Sequence, residues 1–340
     1  MTTIPASSRA ADPLVDPLGR VIRYVRVSVT DRCDLRCTYC MAERQAFLPR
    51  DALLSIEDLD RLASTFVGLG ARRLRLTGGE PLVRKGFMEL VARLSRHLAS
   101  GALDELTLTT NGTRLAEHAV ELAANGVRRV NVSLDTRDPE TYRRLTRGGD
   151  VSRALDGIAA AKTAGLAVKI NAVALASDNA ADLPDLIAWA HGEGHEISLI
   201  EAMPMGEIGA DREAQFLSLG AVRRGLEDRW TLTPMVKRTG GPARYVRVEE
   251  TGGTLGFITP MTHNFCGDCN RVRLTCTGRL YLCLGQDDHA DLAGALAQGG
   301  EAAVEAAIRA AVARKPGAHD FLIRPDAAPA VARPMSMTGG

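Results

Sequence analysis

The chain is short of aromatic residues: two Trp, five Tyr and seven Phe in 340 positions. That is too few for a stacking platform for single-stranded nucleic acid. It also lacks an excess of charge of either sign, since 42 Lys and Arg against 41 Asp and Glu leave a formal net charge of +1. A general nucleic-acid binder, whose domain is basic overall, is excluded on that ground. No apolar run approaches the ~18 residues of a membrane span, and Met1–Arg9 contains no apolar core of a secretion signal. The expectation is a cytoplasmic protein with neither membrane nor nucleic acid among its partners. Cysteine is missing from everything between Cys40 and Cys266. All seven cysteines fall in two groups, Cys33, Cys37, Cys40 and Cys266, Cys269, Cys276, Cys283. An odd count without a secretion signal speaks against a disulfide framework, and tight clustering favours metal ligation. With 45% hydrophobic and 24% charged residues, the chain belongs to the globular class, long enough for roughly two domains or one large barrel.

The first two hundred residues alternate short β-rich runs with helical patterns. Strands are expected at Tyr24–Val29, Arg72–Leu76, Glu105–Thr109, Arg129–Leu134, Ala167–Val173 and Glu196–Ala202. Ser55–Leu69 is the clearest helix: Ser55 caps it, Asp58 completes an S-x-x-D box, and Ile56, Leu59, Leu62 and Phe66 form one stripe. Repeated βα units imply a parallel sheet, closed into a barrel or open and doubly wound. Strands covered on both faces read almost wholly apolar, and these do not. One face carries Arg26, Ser28, Arg73, Arg75, Thr107, Thr109, Arg129, Asn131, Ser133, Lys169, Asn171 and Ser198; the other carries Val25, Val27, Leu74, Leu76, Leu106, Leu108, Val130, Val132, Val168 and Ile170. The polar face reads as the lining of a wet, cationic cavity suited to an anion; the alternative is an exposed sheet with ordinary alternation. Beyond Gly209 the texture changes. A helix is expected at Glu213–Leu226, then strands at Thr231–Met235, Arg244–Glu249, Leu255–Thr259, Arg271–Thr275 and Arg279–Leu284. Ala-rich helices near Leu292–Ala297 and Ala302–Arg314 follow, with an irregular tail from Pro325.

Cys33-x3-Cys37-x2-Cys40 stands directly after the first strand. Structural zinc takes four ligands, usually from paired C-x2-C knuckles. Three thiolates with no fourth Cys or His nearby suit a [4Fe–4S] cluster with one open iron; a zinc knuckle completed by a distant residue, or plain thiols, are the alternatives. The seven histidines are scattered and give no metal motif.

These cysteines, with an aromatic before the last and Thr77-Gly-Gly-Glu-Pro81 after the second strand, resemble the radical S-adenosylmethionine superfamily. The second group, Cys266-x2-Cys269-x13-Cys283 with Arg271-Val-Arg273 beside it, is similar to one family in particular, the GTP 3′,8-cyclases of molybdenum-cofactor biosynthesis. The likeness runs from Leu18-Gly-Arg to Gly339-Gly340. It implies an α/β fold: an incomplete (β/α)6 TIM-like barrel whose mouth is capped by a smaller C-terminal α+β domain. The implied division is an N-terminal tail (1–17), a partial barrel (18–212), a domain carrying a second cluster (213–325) and a tail ending in Gly-Gly (326–340).

The resemblance also implies the chemistry, that of a lyase. The 5′-deoxyadenosyl radical from S-adenosylmethionine takes the ribose H3′ of GTP, and C3′ adds to C8 to give (8S)-3′,8-cyclo-7,8-dihydroguanosine 5′-triphosphate. The implied cofactors are S-adenosylmethionine and two [4Fe–4S] clusters, one on Cys33, Cys37 and Cys40 and one on Cys266, Cys269 and Cys283, the latter facing guanine. Cys276 is extra to the pattern and reads as a small buried hydrophobe. Tyr39, Gly79, Ser133 and Met203 are the implied contacts to S-adenosylmethionine. Those to GTP are Arg26, Arg73, Arg75, Thr109, Lys169, Arg271 and Arg273. Catalytic roles fall to Arg26, Arg271, Arg273, Gly339 and Gly340, the glycines as a tail reaching the active site. Implied partners are GTP, an external electron donor of the flavodoxin type and the cyclic pyranopterin monophosphate synthase that receives the product; a homodimer is compatible. One departure stands out: the family commonly has L-R-F-I-E on its sixth strand, and here Ile197-Ser198-Leu-Ile-Glu201 stands instead. Loss of that arginine removes a charge-assisted contact worth ~1.5–3 kcal/mol unless another group supplies it. Two rivals remain at this point, a peptide-modifying enzyme of the same superfamily and a regulatory module holding zinc in both sites.

Overall fold

A computed structural model describes residues 12–209, 211–237, 239–323 and 329–339. Residues 1–11, part of the expected N-terminal tail, and Gly340 therefore lie outside the described residues. In the first half the strands β1 (Tyr24–Ser28), β2 (Arg73–Thr77), β3 (Glu105–Thr110), β4 (Arg129–Ser133), β5 (Ala167–Ala174) and β6 (Glu196–Glu201) alternate with helices. The helices are α1 (Ile56–Gly68), α2 (Phe87–Ala99), α3 (Leu115–Ala124), α4 (Pro139–Thr146), α5 (Val151–Thr163) and α6 (Leu183–Gly192). Ser55 caps α1, its hydroxyl accepting from the Asp58 amide at 3.0 Å, and Ile56, Leu59, Leu62 and Phe66 are buried. Each fully buried Leu or Phe contributes ~1.5–3 kcal/mol. The apolar strand positions Val25, Val27, Leu74, Leu76, Leu106, Leu108, Val130, Val132, Val168 and Ile170 all join the main core, with the helices packed on that side. The polar positions are left for the inside of the curl.

The C-terminal half adds α7 (Arg212–Gln215), α8 (Leu219–Glu227), β7 (Leu232–Met235), β8 (Arg244–Val248), β9 (Gly253–Ile258), β10 (Arg271–Leu274), β11 (Arg279–Tyr281), β12 (His289–Asp291), α9 (Leu292–Val312) and α10 (Met335–Thr338). Among the described residues the twelve strands form one sheet in the order β12-β11-β10-β1-β2-β3-β4-β5-β6-β9-β8-β7. The six βα strands are parallel, and the later strands extend the sheet at both edges, β10 parallel beside β1 and β9 parallel beside β6.

Three expectations change. The single helix expected at Glu213–Leu226 is two, because Phe216 leaves the helix to form a β-bridge with Leu175 and Ser218 then caps α8. The two Ala-rich helices run together as α9, with a break at Gly300, whose φ is +62°. The tail read as irregular contains α10, with Ser336 and Thr338 buried against the barrel.

Candidate active site

Register builds the site. On the inner face Arg273 of β10, Arg26 of β1 and Arg75 of β2 stand directly opposite one another on adjacent strands. Like charges side by side on paired strands destabilise a sheet, so this row is costly without an anion. A second row, Thr109, Asn131 and Lys169, crosses β3, β4 and β5. Arg26, Arg75, Arg129, Lys169, Arg271 and Arg273 line one cavity together with Cys266, Cys269 and Cys283. A second cavity contains Cys33, Cys37 and Cys40 together with Tyr39, Gly79, Thr109 and Ser133. The two share Asn171, Ile200 and Met203. The two cavities therefore adjoin along these three residues.

The electrostatics describe a site built for an anion. Burial, then Arg273 and Arg75, hold the Arg26 guanidinium well below its ordinary value. Burial lowers Arg75 as well. Lys169 is pushed down to about 7 by burial and by Arg129, Arg75 and Lys237 against the opposing pull of Glu196. Arg273 is pushed down to about 9 by burial and by Arg271. Buried polar atoms without a hydrogen-bond partner point the same way: Arg26 Nε, Arg75 Nε, Tyr24 Oη, Thr109 Oγ1 and Asn131 Oδ1. A buried polar group without a partner costs ~1–3 kcal/mol, a cost that a bound polar ligand removes.

The two cysteine groups are held differently. The loop of Cys33, Cys37 and Cys40 is tied to the Gly-Gly turn, with Gly79 N donating to Thr30 O and Glu80 N to Arg32 O, both at 2.8 Å. A Cβ at Gly79 would lie 2.2 Å from Arg32 O, so only glycine allows this approach. Glu80, 1% exposed, accepts from Leu82 N, Thr110 Oγ1 and Asn111 N, and burial still raises it to about 7. Tyr39 donates to Asp135 at 2.6 Å. Around the second group, burial raises the Cys269 thiol, but Arg271 and Lys315 outweigh it and hold it at about 7. Arg20 donates to Cys266 O at 2.7 Å and to Pro316 O at 2.7 Å, fixing that loop. Among the described residues no three Cys, His, Asp or Glu side chains converge as a single metal ion requires.

Most of the expected site residues meet at these two cavities. Arg26, Arg75, Lys169, Arg271 and Arg273 share the cationic one, and Tyr39, Gly79 and Ser133 line the other, with Met203 at the junction. Thr109 lies on the first-cysteine side rather than among the cations. Arg73 is not brought in. It starts β2, faces Glu105 at 3.9 Å and lines a separate hollow at the foot of the barrel with Arg128 and Glu196. Cys276 is fully buried and lines neither cavity. Gly339 reaches the site: Arg273 Nη1 donates to Thr338 O at 3.3 Å and to Gly339 O, and a Cβ on Gly339 would lie 2.1 Å from Thr77 Cγ2. Sequence reasoning left Arg129 out of the ligand set and missed Tyr24, Tyr245 and Lys315 altogether. Arg129 and Tyr24 carried a signal, their place on alternating strands; Tyr245 and Lys315 carried none.

The comparisons with known proteins follow the same division. Residues 27–190 match the radical SAM superfamily and residues 195–321 match Molybdenum Cofactor Synthesis C. The fold resembles the crystal structure of Streptococcus suis SuiB bound to S-adenosylmethionine, with a TM-score of 0.60 and 14% identity over 80% of this chain and 64% of that one. This chain thus spans slightly less than two thirds of that structure's length, and the likeness is one of fold. Fold and site together define a radical S-adenosylmethionine protein. The chain is 63% identical to the GTP 3′,8-cyclase of Caulobacter vibrioides over 96% of its length and 94% of that protein. It is 62% identical to that of Brucella canis over 97% and 96%. The chain belongs to the GTP 3′,8-cyclase family.

Proposed function

We propose that the cationic cavity binds GTP and that the chain, a lyase, cyclises it to 3′,8-cyclo-7,8-dihydro-GTP, the first step towards molybdopterin. The observation that carries this is the register row Arg273–Arg26–Arg75, with Lys169 nearby, on a wall shared by Cys266, Cys269 and Cys283. Cys33, Cys37 and Cys40 would hold one [4Fe–4S] cluster and Cys266, Cys269 and Cys283 a second. Loaded with these clusters and S-adenosylmethionine, the protein would have the one-electron chemistry that removes H3′ and bonds C3′ to C8, a second electron and a proton from the external donor and solvent completing the dihydro product.

The residues do the positioning. Arg26, Arg75, Arg273 and Lys169 neutralise the triphosphate, the guanidinium forks binding it bidentately and the ammonium acting as a point charge. Their lowered proton affinity is restored once the anion is bound. Gly79 leaves its backbone open to the methionyl amino group, while Tyr39, Ser133 and Met203 line the space for the rest of S-adenosylmethionine. Met203, at the junction, stands between the space for S-adenosylmethionine and the space for GTP. Gly339, held by Arg273, packs beside Thr77 at the edge of the site. An external donor, of the flavodoxin type, supplies the electron. The reaction is placed in the cytoplasm, where GTP is present, and its product goes to the cyclic pyranopterin monophosphate synthase. No helix among the described residues is long and apolar enough to cross a membrane.

The test is an anaerobic incubation with GTP, S-adenosylmethionine and reductant. Formation of 5′-deoxyadenosine together with the cyclised nucleotide is expected, from protein carrying about eight iron and eight sulfide per chain. 5′-Deoxyadenosine without a GTP-derived product overturns the substrate, and a colourless protein with two zinc ions overturns the chemistry.

A further inference from the structure

Two phenols on the cationic wall have no part in the reading above. Tyr24, on β1, is 2% exposed and lines the cavity, yet its hydroxyl has no hydrogen-bond partner. The Arg75 guanidinium lies over its ring at 5.5 Å. A phenylalanine would fill the same space without the cost of an orphaned hydroxyl. Tyr245, on β8, lines the same wall. Lys169 Nζ donates to its oxygen at 2.6 Å, and Thr239 Oγ1 lies 3.1 Å from it.

Donor accounting shows what is spare. An ammonium has donors only, so the Lys169 bond uses a lone pair of Tyr245 Oη and leaves the phenolic proton unspent. In the pair with Thr239 Oγ1 either hydroxyl can donate, so the Tyr245 proton can turn from Thr239 to a ligand in the cavity. The proton of Tyr24 is unspent outright. Both phenols lie within electrostatic reach of Arg129 and of Arg75, so they belong to the same end of the cavity. A wall with one unpartnered and one redirectable O–H donor among Arg26, Arg75, Arg129 and Lys169 asks for a ligand rich in acceptor oxygens.

The neighbourhood of Ser198 shows why a neutral donor is placed here. Ser198 on β6 is fully buried beside Gly256 on β9, and it does not line the cavity. A Cβ at Gly256 would lie 2.3 Å from Ser198 Oγ and 3.0 Å from Tyr245 Cε1. Small residues at both positions let the Tyr245 ring lie along the sheet, in the space that a long cationic side chain at 198 would need. A hydroxyl there offers a hydrogen bond without adding a further charge to a row that already repels itself.

We propose that Tyr24 and Tyr245 are positioning residues for the substrate's phosphate chain, each giving its phenolic proton to a phosphate oxygen. The assignment rests on the reading of GTP as substrate. It is tested by equilibrium binding to the iron-loaded protein with S-adenosylmethionine and no reductant, using GTP, inorganic triphosphate and guanosine as probes. Tyr24→Phe and Tyr245→Phe are each expected to weaken GTP and inorganic triphosphate about tenfold, as loss of a hydrogen bond to a charged group does, with guanosine binding and iron content unchanged. Wild-type affinity for GTP in both variants overturns the assignment. So does an equal loss for GTP and guanosine, which marks the phenols as structural. Wild-type protein that takes up no GTP overturns the substrate reading instead, so the two failures are distinguishable.

Discussion

Replacing Gly339 with alanine adds one methyl group where the C-terminal segment meets β2. The new Cβ would lie 2.1 Å from Thr77 Cγ2 and 2.6 Å from Thr77 Oγ1, and the residue has a φ of +74°. A non-glycine residue at such a φ carries ~1–3 kcal/mol of strain, and forcing a methyl into a packed site adds ~1–3 kcal/mol. The last turn is held by Arg273, through charge-assisted bonds worth ~1.5–3 kcal/mol each, while Arg333 and the Met205–Val331 bridge hold the segment before it. A destabilisation of roughly 2–6 kcal/mol is therefore at least comparable with what holds that turn. The ratio of its docked to released forms falls by about 30-fold or more. Anaerobic turnover measures the consequence: cyclised nucleotide should fall by at least tenfold, and the terminal residues should become accessible to carboxypeptidase. Thr77→Ala removes the two atoms nearest the new methyl but leaves Thr77 Cβ at 2.9 Å and the backbone strain, so it should restore part of the loss in the Gly339→Ala background, a coupling read from a double-mutant cycle. Wild-type turnover in Gly339→Ala, or no coupling between the two substitutions, would refute the reasoning.

Three further outcomes are expected. Gly79→Ala places its Cβ 2.2 Å from Arg32 O, a backbone atom that cannot swing aside. Iron content should fall to about half, with the cage of Cys266, Cys269 and Cys283 retained. Lys169, held at about 7, loses its proton in the free protein as pH rises through that value, whereas bound triphosphate retains it. GTP affinity should thus decline above pH 7 with proton uptake on binding, and Lys169→Met should bind more weakly with that component gone. In the ligand-free protein the sign for stability is opposite. Between about 7 and the ordinary lysine value of 10.5 the unfolded chain binds the extra proton, so this residue's contribution makes stability rise with pH. Glu80→Gln sets an amide N–H against Asn111 N–H, which donates to Oε2 at 2.6 Å in the native site; a loss of ~1–3 kcal/mol is expected, read as a lower melting temperature.

The six inner strands were legible because alternation of apolar and polar residues survives wherever one face packs under helices and the other lines a cavity. Alternation has a blind spot. It reports which face a residue occupies, not its height along the strand, so Arg73 and Arg75 looked equivalent although β2 carries one to the foot of the barrel and the other into the cavity. The same limit hid Tyr24, which shares its face with Arg26. Cysteine spacing and the Gly-Gly turn singled out Cys33, Cys37, Cys40 and Gly79, which line one cavity, since both are local. Tyr245 was out of reach for another reason. It enters the site only because β9 pairs with β6 and β8 with β9, and partner choice between distant strands leaves no local mark. The split between α7 and α8 had a readable cue in Ser218, a capping residue, but the bridge from Phe216 to Leu175 that breaks the helix is long-range.

The placement of β10 against β1 and of β9 against β6 has a bearing on how the protein is made. When synthesis has passed β6, the nascent sheet presents two unpaired edges whose backbone groups invite pairing with another chain. Neither is covered until β9 and then β10 emerge, some fifty to seventy residues later along the sequence. Arg271 and Arg273 arrive on the last of these strands to join the inner row. The cationic wall is consequently assembled only after both seams are shut, and an incompletely translated chain holds no competent chamber in which a radical could be released.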